Sequence, residues 1–533
     1  MPWNKFVREC EVVAGEYSNR LIKPPKNIDA DLCLPCFELD EEKFNTLVEK
    51  MRKAKFNFIK EINTVGRYIN FYINSPEFSK MVLSECSKNY GAQKQDKIYM
   101  IEFFHANTHK EMHIGHVRNA CIGNAVCRIQ EFLGNKVIRA NYQGDIGPHV
   151  AKVMWGYKHL GLKEPKTGKG EWLGKVYAKT NNFIKGNEKL ENEIRNITKS
   201  MYDQDKNVMN EWKKTRKWSL EYYDRIYKEF GLKFDRLYFE SEVYGSGIKN
   251  VKKLLKNHIA KESEGAIIVD MKDKNLGVFI LLRSDEAPLY STKDIGLAEL
   301  QFREFKFDKL IHIVGSEQKF YFQQLFEVLG MIRPEYKEKN VHVPYELVTL
   351  KTGKMSSREG NIVTYDDLKN ELVKKLRPNA KNKKDLMKIS MGALKYTMLK
   401  ADNNKVNVFD LDEATQLEGH TGPYIQYTYA RLQSILRKSK KNPKLQALGE
   451  DEKEIIKQLS MFPDVVDNAG RSFRPHYITH YLFELASMMN NYYHKKQIIE
   501  DENEAGLLLM VEAVCNVLKS GMNMLGIEEL ERM

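Results

Sequence analysis

Two histidines flank a glycine where an apolar strand gives way to a helix. The run His-Ile-Gly-His at 113–116 follows the strand-like segment 97–104 and opens an amphipathic helix predicted over 113–133. A helix start offers unpaired N–H groups and the positive end of the helix dipole, which together suit phosphate. Gly115 lets a nucleotide approach the backbone, and imidazoles can stabilise negative charge that shifts in a transition state. Alone, the run is also explained by helix capping or by a chance surface pair.

A second cluster combines cations with hydroxyl groups. Lys-Thr-Gly at 351–353 leads into Lys-Met-Ser-Ser-Arg at 354–358. A loop of this kind can close over a triphosphate and stabilise the charge that builds on departing pyrophosphate. By itself it is better explained as a basic surface loop. The chain has neither a GxxxxGK[ST] nor a GxGxxG phosphate loop, so these two clusters are the candidates for a nucleotide site.

The elements that must position these clusters alternate between strand and helix. The predicted elements are a strand at 97–104, a helix at 113–133, a strand at 136–141, a helix at 291–304, a strand at 309–314 and a helix from about 317. This alternation predicts a Rossmann-like, doubly wound parallel sheet with helices on both faces. A charged, mostly helical insertion at about 156–236 separates its two halves.

The two ends of the chain differ from this middle. A helix near 41–54 and an alternating strand at 68–73 predict a small α+β module at the N-terminus. From about Ala393 onward, apolar residues recur three and four apart, which predicts an all-helical bundle of four to six helices. The expected divisions are an N-terminal module at 1–92, a catalytic domain at 93–368, a basic linker at 369–406 and a helical domain at 407–533.

Composition indicates the class of partner. The 533 residues carry 85 Lys and Arg against 72 Asp and Glu, a net charge of +13, which favours a polyanionic partner. No uninterrupted apolar run is long enough for a membrane span, and the N-terminus lacks the pattern of a secretory signal. The seven cysteines, including Cys33 and Cys36, are expected to be reduced thiols. These features predict a cytoplasmic protein without a structural metal.

In this order and context, the two clusters resemble those of class I aminoacyl-tRNA synthetases, and further runs resemble the arginyl-tRNA synthetase family. The matching runs are Glu-Phe-x-x-x-Asn-x-x-Lys-x-x-His at 102–113, Asn-x-x-Gly-Asp-x-Gly at 141–147, Tyr-x-Thr-x-Asp-Ile at 290–295, Val-Gly-x-Glu-Gln at 314–318 and the helix opening at 418–431. The resemblance covers nearly the whole chain. It implies that the N-terminal module contacts tRNA, that the basic linker contacts its stem and that the helical domain binds the anticodon.

The resemblance also implies residue roles. A guanidinium requires a carboxylate in fork geometry. The resemblance implies that Tyr290 and Asp294, four residues apart on one helix, bind the guanidinium of the substrate. Arginine binding is expected at Glu102, Asn107, Glu240, Tyr290, Asp294 and Gln318. ATP binding is expected at His113, Gly115, His116, Asn119, Lys354, Met355 and Ser356, and catalytic charge at Lys110, His113, His116, Lys354 and Arg358. Binding of tRNA is expected at Tyr424, Gln426, Tyr427 and Arg431.

One position departs from the family pattern. Ser357 stands where Lys-Met-Ser-Lys-Ser has its second lysine, and Arg358, Lys351 and Lys110 are the candidate replacements. The resemblance implies ATP with Mg²⁺, L-arginine and tRNA(Arg) as partners, a monomer, and adenylate formation that requires bound tRNA. Two alternatives stay open: a class I synthetase for another amino acid, and a non-catalytic tRNA-binding paralogue. The second is disfavoured because a binding module has no need of the two histidines and the lysine of the nucleotide motifs.

Overall fold

The computed structural model describes residues 2–25, 27–284, 288–351 and 363–532. The predicted nucleotide-site residues Lys354, Met355, Ser356 and Arg358 lie outside these ranges. The residues on either side of them, Lys351 and Val363, are described.

A small α+β module forms the N-terminal part, as predicted. Its elements are α1 (Pro2–Ala14), β1 (Leu32–Pro35), α2 (Glu41–Lys53), β2 (Ile59–Val65), β3 (Tyr68–Ile73) and α3 (Ser75–Glu85). The strands form an antiparallel sheet in the order β1-β3-β2. Cys33 and Cys36 are buried in this module, and burial raises the pKa of both thiols.

The middle of the chain contains a five-stranded parallel sheet. Its elements are β4 (Ile98–Glu102), α4 (Ile114–Phe132), β5 (Lys136–Gln143), α5 (Pro148–His159), α6 (Lys169–Ile184), α7 (Glu188–Tyr202), α8 (Lys206–Phe230), β6 (Arg236–Phe239), α9 (Glu240–Lys256), β7 (Lys261–Ser263), β8 (Ala266–Met271), β9 (Gly277–Leu282), α10 (Tyr290–Glu304), β10 (Lys309–Gly315), α11 (Lys319–Ile332), α12 (Pro334–Lys339), β11 (Asn340–Tyr345) and β12 (Val348–Leu350). The order is β11-β10-β4-β5-β6, with every neighbouring pair parallel.

This strand order fixes where a ligand can bind. From β4 the chain moves outward to β5 and β6, then returns to the other side of β4 as β10 and β11. The sheet therefore has its topological switch point between β4 and β10, and ligands bind there at the carboxyl ends of the strands. The doubly wound sheet and its helical insertion, α5 to α8, confirm the predicted fold class.

An antiparallel sheet of β7, β8 and β9 lies between the two halves and was not predicted. In β9 the buried Phe279 and Leu281 alternate with the exposed Val278 and Ile280. Both faces of this strand therefore carry apolar residues. The alternation of polar and apolar residues that indicates a half-buried strand is absent from its sequence.

The C-terminal part is helical, as predicted, apart from one short strand. Its elements are α13 (Tyr365–Leu376), α14 (Lys383–Leu399), β13 (Asn407–Phe409), α15 (Leu411–Ala414), α16 (Gly422–Lys438), α17 (Lys453–Ser472), α18 (His476–Lys495) and α19 (Glu504–Met524). Strand β13 pairs in parallel with β12. The expected linker 369–406 contains most of α13 and all of α14, a largely buried helix that packs against α4 and α16.

Helix α19 is long and apolar enough, by length and composition, to cross a membrane. However, 67% of its most apolar 18-residue stretch is buried inside the structure, where it packs against α4, α16 and α17. Apolar residues on several faces are typical of a helix at the centre of a bundle.

The N-terminal module is attached to the C-terminal bundle through a buried acid. The carboxylate of Asp31 lies 2.8 Å from Lys457 Nζ and 2.9 Å from Lys453 Nζ, both on α17. Burial alone would raise the pKa of Asp31, but the two lysines hold it below its usual value.

Candidate active site

A cavity of about 510 Å³ opens at the switch point of the parallel sheet. Its walls come from strands β4, β5 and β10, from the start of α9 and β11, and from one face each of α10 and α11. The six residues predicted to bind arginine all line it: Glu102, Asn107, Glu240, Tyr290, Asp294 and Gln318. They converge because parallel strands end at the same edge of a sheet.

The loop that follows β4 has an unusual backbone. Phe104 and His105 adopt φ angles of 85° and 51°, a left-handed conformation that costs free energy in non-glycine residues and persists only where the surroundings enforce it. Asn119 Oδ1 accepts from the Phe104 N–H at 2.5 Å, and Asn141 Oδ1 accepts from the His105 N–H at 3.1 Å. These bonds end the strand at Glu102 and turn the next residues toward the cavity.

Asn119 was predicted to bind ATP, and the structure gives it a different role. It is buried, and its amide nitrogen donates to Ile313 O at 2.7 Å and to Tyr345 Oη at 3.2 Å. Both N–H bonds of the amide are therefore used within the protein. Asn119 ties α4 to β10 and β11 and supports the loop after β4.

Glu102 is already paired with a cation. Its carboxylate lies 3.1 Å from His312 Nδ1, and the other imidazole nitrogen lies 2.6 Å from Asn340 Oδ1. The Asn340 amide nitrogen donates to Tyr336 O, so its oxygen must accept, and both nitrogens of His312 are donors. Burial opposes both charges, but mutual attraction lowers the pKa of Glu102 and raises that of His312. The pair is therefore an imidazolium with a carboxylate.

Glu240 is also paired. Lys293 Nζ donates to Glu240 Oε2 at 2.5 Å, and both side chains are buried. Burial acts to lower the pKa of Lys293, yet Glu240 raises it overall. Glu240 was predicted as a third acid for the guanidinium, and in this structure its charge is already balanced by a residue of α10.

Asp294 differs from these two acids. Its carboxylate accepts a hydrogen bond from Tyr321 Oη at 2.5 Å, and among the residues that the structure describes no Lys, Arg or His lies within 4.0 Å of it. Burial raises its pKa to about 7, although the Tyr321 bond acts in the opposite direction. Tyr290, one turn earlier on α10, is 68% exposed and forms the rim of the cavity.

Side-chain amides lie in the part of the predicted site that would bind the α-amino and carboxylate groups of arginine. Gly144 N donates to Asn107 Oδ1 at 3.2 Å, which leaves the NH₂ group of Asn107 as a donor. A Cβ at position 144 would lie 2.5 Å from this oxygen, so only glycine permits the contact. Gln318 lies in the short turn that follows β10 and lines the same cavity.

Sequence reasoning did not assign two tyrosines of the cavity. Tyr321 contacts Asp294 as described, and Tyr142 lines the same wall with a buried hydroxyl that has no hydrogen-bond partner in the described structure. Tyr142 lies within the matched run 141–147, so its position in that motif was a usable signal. Tyr321 falls just beyond the run 314–318 and offered none.

The two histidines of the first motif cap α4 and can still serve a nucleotide. Gly115 N donates to His113 Nδ1 at 3.1 Å, and His113 N donates to His116 Nδ1 at 3.3 Å. Burial, with the nearby charge of Lys110, lowers the pKa of both imidazoles, so they are neutral at pH 7. A neutral ring whose Nδ1 accepts must carry its proton on Nε2, which makes both residues donors. A Cβ at Gly115 would lie 3.0 Å from the His113 ring.

Segments on both sides of residues 352–362 are fixed near this motif. Val363 O accepts from Ile114 N at 3.2 Å, and Tyr365 N donates to Met112 O at 2.7 Å. On the other side, Lys351 N donates to Phe409 O at 3.0 Å.

The three candidates for the missing lysine differ in their surroundings. Lys110 lies close to both histidines, with its ammonium 4.7 Å from the centre of the Tyr177 ring. Lys351 is exposed and paired with Asp410 at 2.7 Å. Arg358 lies outside the described residues.

Three of the four predicted tRNA residues form a surface on α16. Arg431 donates to Tyr427 Oη at 2.7 Å and lies over the rings of Tyr427 and Tyr493 at 4.8 and 5.6 Å. Tyr424 lies one turn earlier, and its hydroxyl accepts from Asn490 at 3.0 Å. Tyr493, on α18, was not predicted.

Gln426 does not belong to this surface. It is fully buried, and its amide nitrogen donates to Glu528 O at 2.7 Å and to Lys388 O at 3.2 Å. The expectation that Gln426 contacts tRNA therefore conflicts with its place in the core, where it joins α16 to α14 and to the C-terminal segment.

Comparison with known proteins agrees with this geometry. Residues 78–410 match the family model described as tRNA synthetases class I (R), catalytic domain, and residues 425–533 match the DALR anticodon binding domain. The chain is 34% identical to an arginine–tRNA ligase of Halothermothrix orenii, with 96% of this chain and 95% of the relative covered. It is 32% identical to that of Clostridium perfringens, with 100% of both chains covered.

The fold is also similar to that of a solved arginyl-tRNA synthetase. The structure of Thermus thermophilus arginyl-tRNA synthetase superposes with a TM-score of 0.80 at 23% identity, covering 99% of this chain and 100% of that one. With both family models matched in order and relatives aligned along the full length, the chain belongs to the arginyl-tRNA synthetase family of class I aminoacyl-tRNA synthetases.

Proposed function

We propose that this chain joins L-arginine to tRNA(Arg) at the expense of ATP, with the substrate guanidinium bound to Asp294 in the cavity at the switch point. The supporting observation is a charge imbalance. Glu102 is paired with His312 and Glu240 with Lys293, whereas Asp294 has no cation at ion-pair distance among the described residues. A cationic side chain entering the cavity would supply that missing charge.

The rest of the amino acid is bound at the other end of the cavity. The NH₂ groups of Asn107 and Gln318 are suited to donate to the substrate carboxylate. Glu102 faces Asp294, and its two oxygens are bonded to His312 and Gln301; its assignment to the substrate ammonium rests on resemblance. Tyr142, with its unpartnered hydroxyl, offers an oxygen to the guanidinium. Tyr290 covers the substrate from the rim.

The nucleotide end of the site offers hydrogen-bond donors and positive charge to the phosphates of ATP. His113 and His116 each present an Nε2–H to the phosphates, and Lys110 provides the described positive charge closest to them. We assign to Lys110 the charge of the second lysine that the family motif has and this chain lacks, because Lys351 is already paired with Asp410. Lys354, Met355, Ser356 and Arg358 remain assigned by resemblance.

The reaction needs no nucleophile from the protein. A carboxylate oxygen of arginine attacks the α-phosphorus of ATP, the bond to the β-phosphate oxygen breaks, and pyrophosphate leaves. The 2′-hydroxyl of the terminal adenosine then attacks the arginyl carbonyl carbon, and AMP leaves. Catalysis is positioning and charge stabilisation.

Mg²⁺ enters as the counterion of ATP. The described residues contain no group of three His, Cys, Asp or Glu side chains that could hold a metal ion. By resemblance, MgATP would be held chiefly through its phosphates, with the histidines and cations acting beside the ion.

The tRNA is bound by surfaces outside the cavity. Tyr424, Tyr427 and Arg431 combine rings for base stacking with charge for phosphate, which suits the anticodon arm, and we extend this surface to Tyr493. The N-terminal module at 1–92 is assigned to the tRNA elbow and the basic segment 369–406 to the stem. Adenylate formation is expected to require bound tRNA.

The protein is proposed to act as a cytoplasmic monomer. Its N-terminal module is attached to the bundle of the same chain through Asp31. All seven cysteines are free and buried, as expected in a reducing compartment. Size-exclusion chromatography with light scattering at micromolar concentration tests the oligomeric state.

An ATP–pyrophosphate exchange assay with added tRNA tests the proposed activity. Arginine-dependent exchange is expected, with near-background exchange when tRNA is omitted. Exchange with a different amino acid, or none with arginine and tRNA, would favour the two alternatives raised by the sequence. Strong tRNA-free exchange would contradict only the tRNA requirement.

A further inference from the structure

Tyr321 makes a single polar contact in the guanidinium subsite. Its hydroxyl donates to Asp294 Oδ2 at 2.5 Å, a short distance typical of a hydroxyl bonded to a charged acceptor. Tyr321 is in the first turn of α11 and Asp294 in the first turns of α10, so the bond joins two helices across the cavity wall. No role for this tyrosine follows from the motifs.

The ring of Tyr321 is held from two sides. Its centroid lies 5.5 Å from that of Phe279 and 5.7 Å from that of Phe322. Phe279 and Phe322 are both buried. The hydroxyl therefore has a fixed position, and Asp294 has to adopt the rotamer that meets it.

We propose that Tyr321 is a positioning residue for arginine recognition, whose hydroxyl occupies one oxygen of Asp294 and thereby directs the other oxygen to the substrate guanidinium. This inference rests on the proposed role of Asp294. A guanidinium is planar and its N–H bonds have fixed directions, so the orientation of the carboxylate determines how many of them it can accept.

The same bond keeps Asp294 ionisable. Burial raises the pKa of Asp294 to about 7, and the Tyr321 hydrogen bond acts against that rise. The pKa of Tyr321 itself lies well above its usual value, because of burial and the neighbouring carboxylate, so the tyrosine stays protonated and donates. Without the hydroxyl, more of Asp294 would be neutral at pH 7.

Other titratable groups face Asp294 from the surrounding elements. They are Glu102 on β4, Tyr142 on β5, Glu240 on α9, Tyr290 on α10 and His312 on β10, and Lys293 on α10 pairs with Glu240. Glu102 and Glu240 are balanced by His312 and Lys293. A variant at Tyr321 retains all six groups. The difference between its pH profile and that of the wild type therefore reports the effect of the Tyr321 hydroxyl alone.

The test is the arginine KM of Tyr321→Phe between pH 6 and 9, measured by ATP–pyrophosphate exchange with saturating tRNA and ATP. The ring and its packing are retained. We expect the midpoint of the KM profile to shift upward by about one pH unit. At pH 7 the KM should rise about five- to tenfold, and most of this rise should disappear by pH 9, where a smaller rise remains because Asp294 is less well oriented; kcat should change little.

Two controls complete the experiment. Tyr336→Phe removes a hydroxyl from another buried tyrosine, outside the cavity, and should leave the profile unchanged. In an Asp294→Asn background, Tyr321→Phe should produce no pH-dependent change, because it acts through the carboxylate.

The outcomes separate this inference from the proposed site. An unchanged KM in Tyr321→Phe, or a KM raised equally at every pH with no shift of the midpoint, would overturn the proposed role of the Tyr321–Asp294 bond. If Asp294→Asn also leaves the arginine KM intact, the guanidinium subsite itself is wrong. If Asp294→Asn raises the KM but the midpoint of Tyr321→Phe does not move, only the role of Tyr321 fails.

Discussion

Replacing Asp294 with Asn removes the charge from the guanidinium subsite and nearly preserves its shape. Because Glu102 and Glu240 are already paired with His312 and Lys293, no other interior acid can take over without breaking an ion pair. The substrate cation would then be buried without a partner, which costs on the order of 2–5 kcal/mol. This corresponds to roughly 30- to several-thousand-fold in kcat/KM for arginine.

The pKa of Asp294 sets the conditions of this measurement. At a pKa of about 7, half of the carboxyl groups are neutral at pH 7, so part of the binding free energy is used to remove a proton. The assay should therefore be run near pH 8, by ATP–pyrophosphate exchange with tRNA, first with arginine varied and then with ATP varied. The loss should appear in the arginine parameters, with the ATP KM nearly unchanged.

A matched control is available on the same helix. Glu304→Gln removes a carboxylate from the far end of α10, where it pairs with Arg236 outside the cavity, and should leave the arginine KM unchanged. If Asp294→Asn keeps the wild-type arginine KM and kcat, the assignment is refuted and Glu240 becomes the leading candidate.

Four further predictions follow from the same geometry. First, the arginine KM of the wild type should rise roughly tenfold between pH 8 and pH 6, because the ionised form of Asp294 binds the guanidinium and its pKa is about 7; a flat profile in exchange assays would contradict this. Second, the folded state binds the Asp294 proton more tightly than the unfolded chain does, for which the usual pKa is 3.8, so the contribution of Asp294 to the free energy of unfolding should fall as pH rises from about 4 to about 7. Asp294→Asn should therefore raise the Tm of the arginine-free protein at pH 8 in a thermal-shift measurement, and an equal or lower Tm would be inconsistent with a costly buried charge. Third, Lys110→Met should lower kcat for exchange about 10- to 100-fold with little change in arginine KM. Lys351→Met, the matched control at a paired surface lysine, should lower kcat only slightly. A larger loss of kcat in Lys351→Met than in Lys110→Met would assign the missing charge to Lys351. Fourth, Arg431→Ala should raise the KM for tRNA about tenfold in aminoacylation without changing the arginine KM, whereas equal loss in Lys256→Ala, at an exposed lysine that ends α9, would mean that no specific surface exists at Arg431.

The elements that carry the motifs were predictable because their signals are local. The helix after the first motif, the strands on either side of it and the parallel topology follow from periodicity, and topology alone brings Glu102 and Asp294 to one edge. The observed end of an element differs from the predicted end where hydrogen bonds to the backbone determine its last residue. The strand predicted to reach Phe104 ends at Glu102, because Asn119 and Asn141 hold the following residues in a left-handed conformation.

The charge state of the cavity was not predictable. Which acid remains without a cation depends on Lys293 and His312, whose directions are set by tertiary packing and not by motif spacing. The same holds for Asn119 and Gln426, two polar residues that match family motifs and are nonetheless buried. Gln426 fits into the core because Gly392 of α14 has no side chain there; a Cβ would lie 2.5 Å from its amide oxygen.

The central claim is that the cavity recognises the positive charge of arginine through Asp294. Citrulline tests it most directly, because its urea group has nearly the shape of a guanidinium but no charge. In ATP–pyrophosphate exchange with tRNA at pH 8, the wild type should favour arginine over citrulline by roughly a hundredfold or more in kcat/KM. Asp294→Asn should reduce this preference by at least about tenfold. A preference that survives the substitution undiminished would contradict the account.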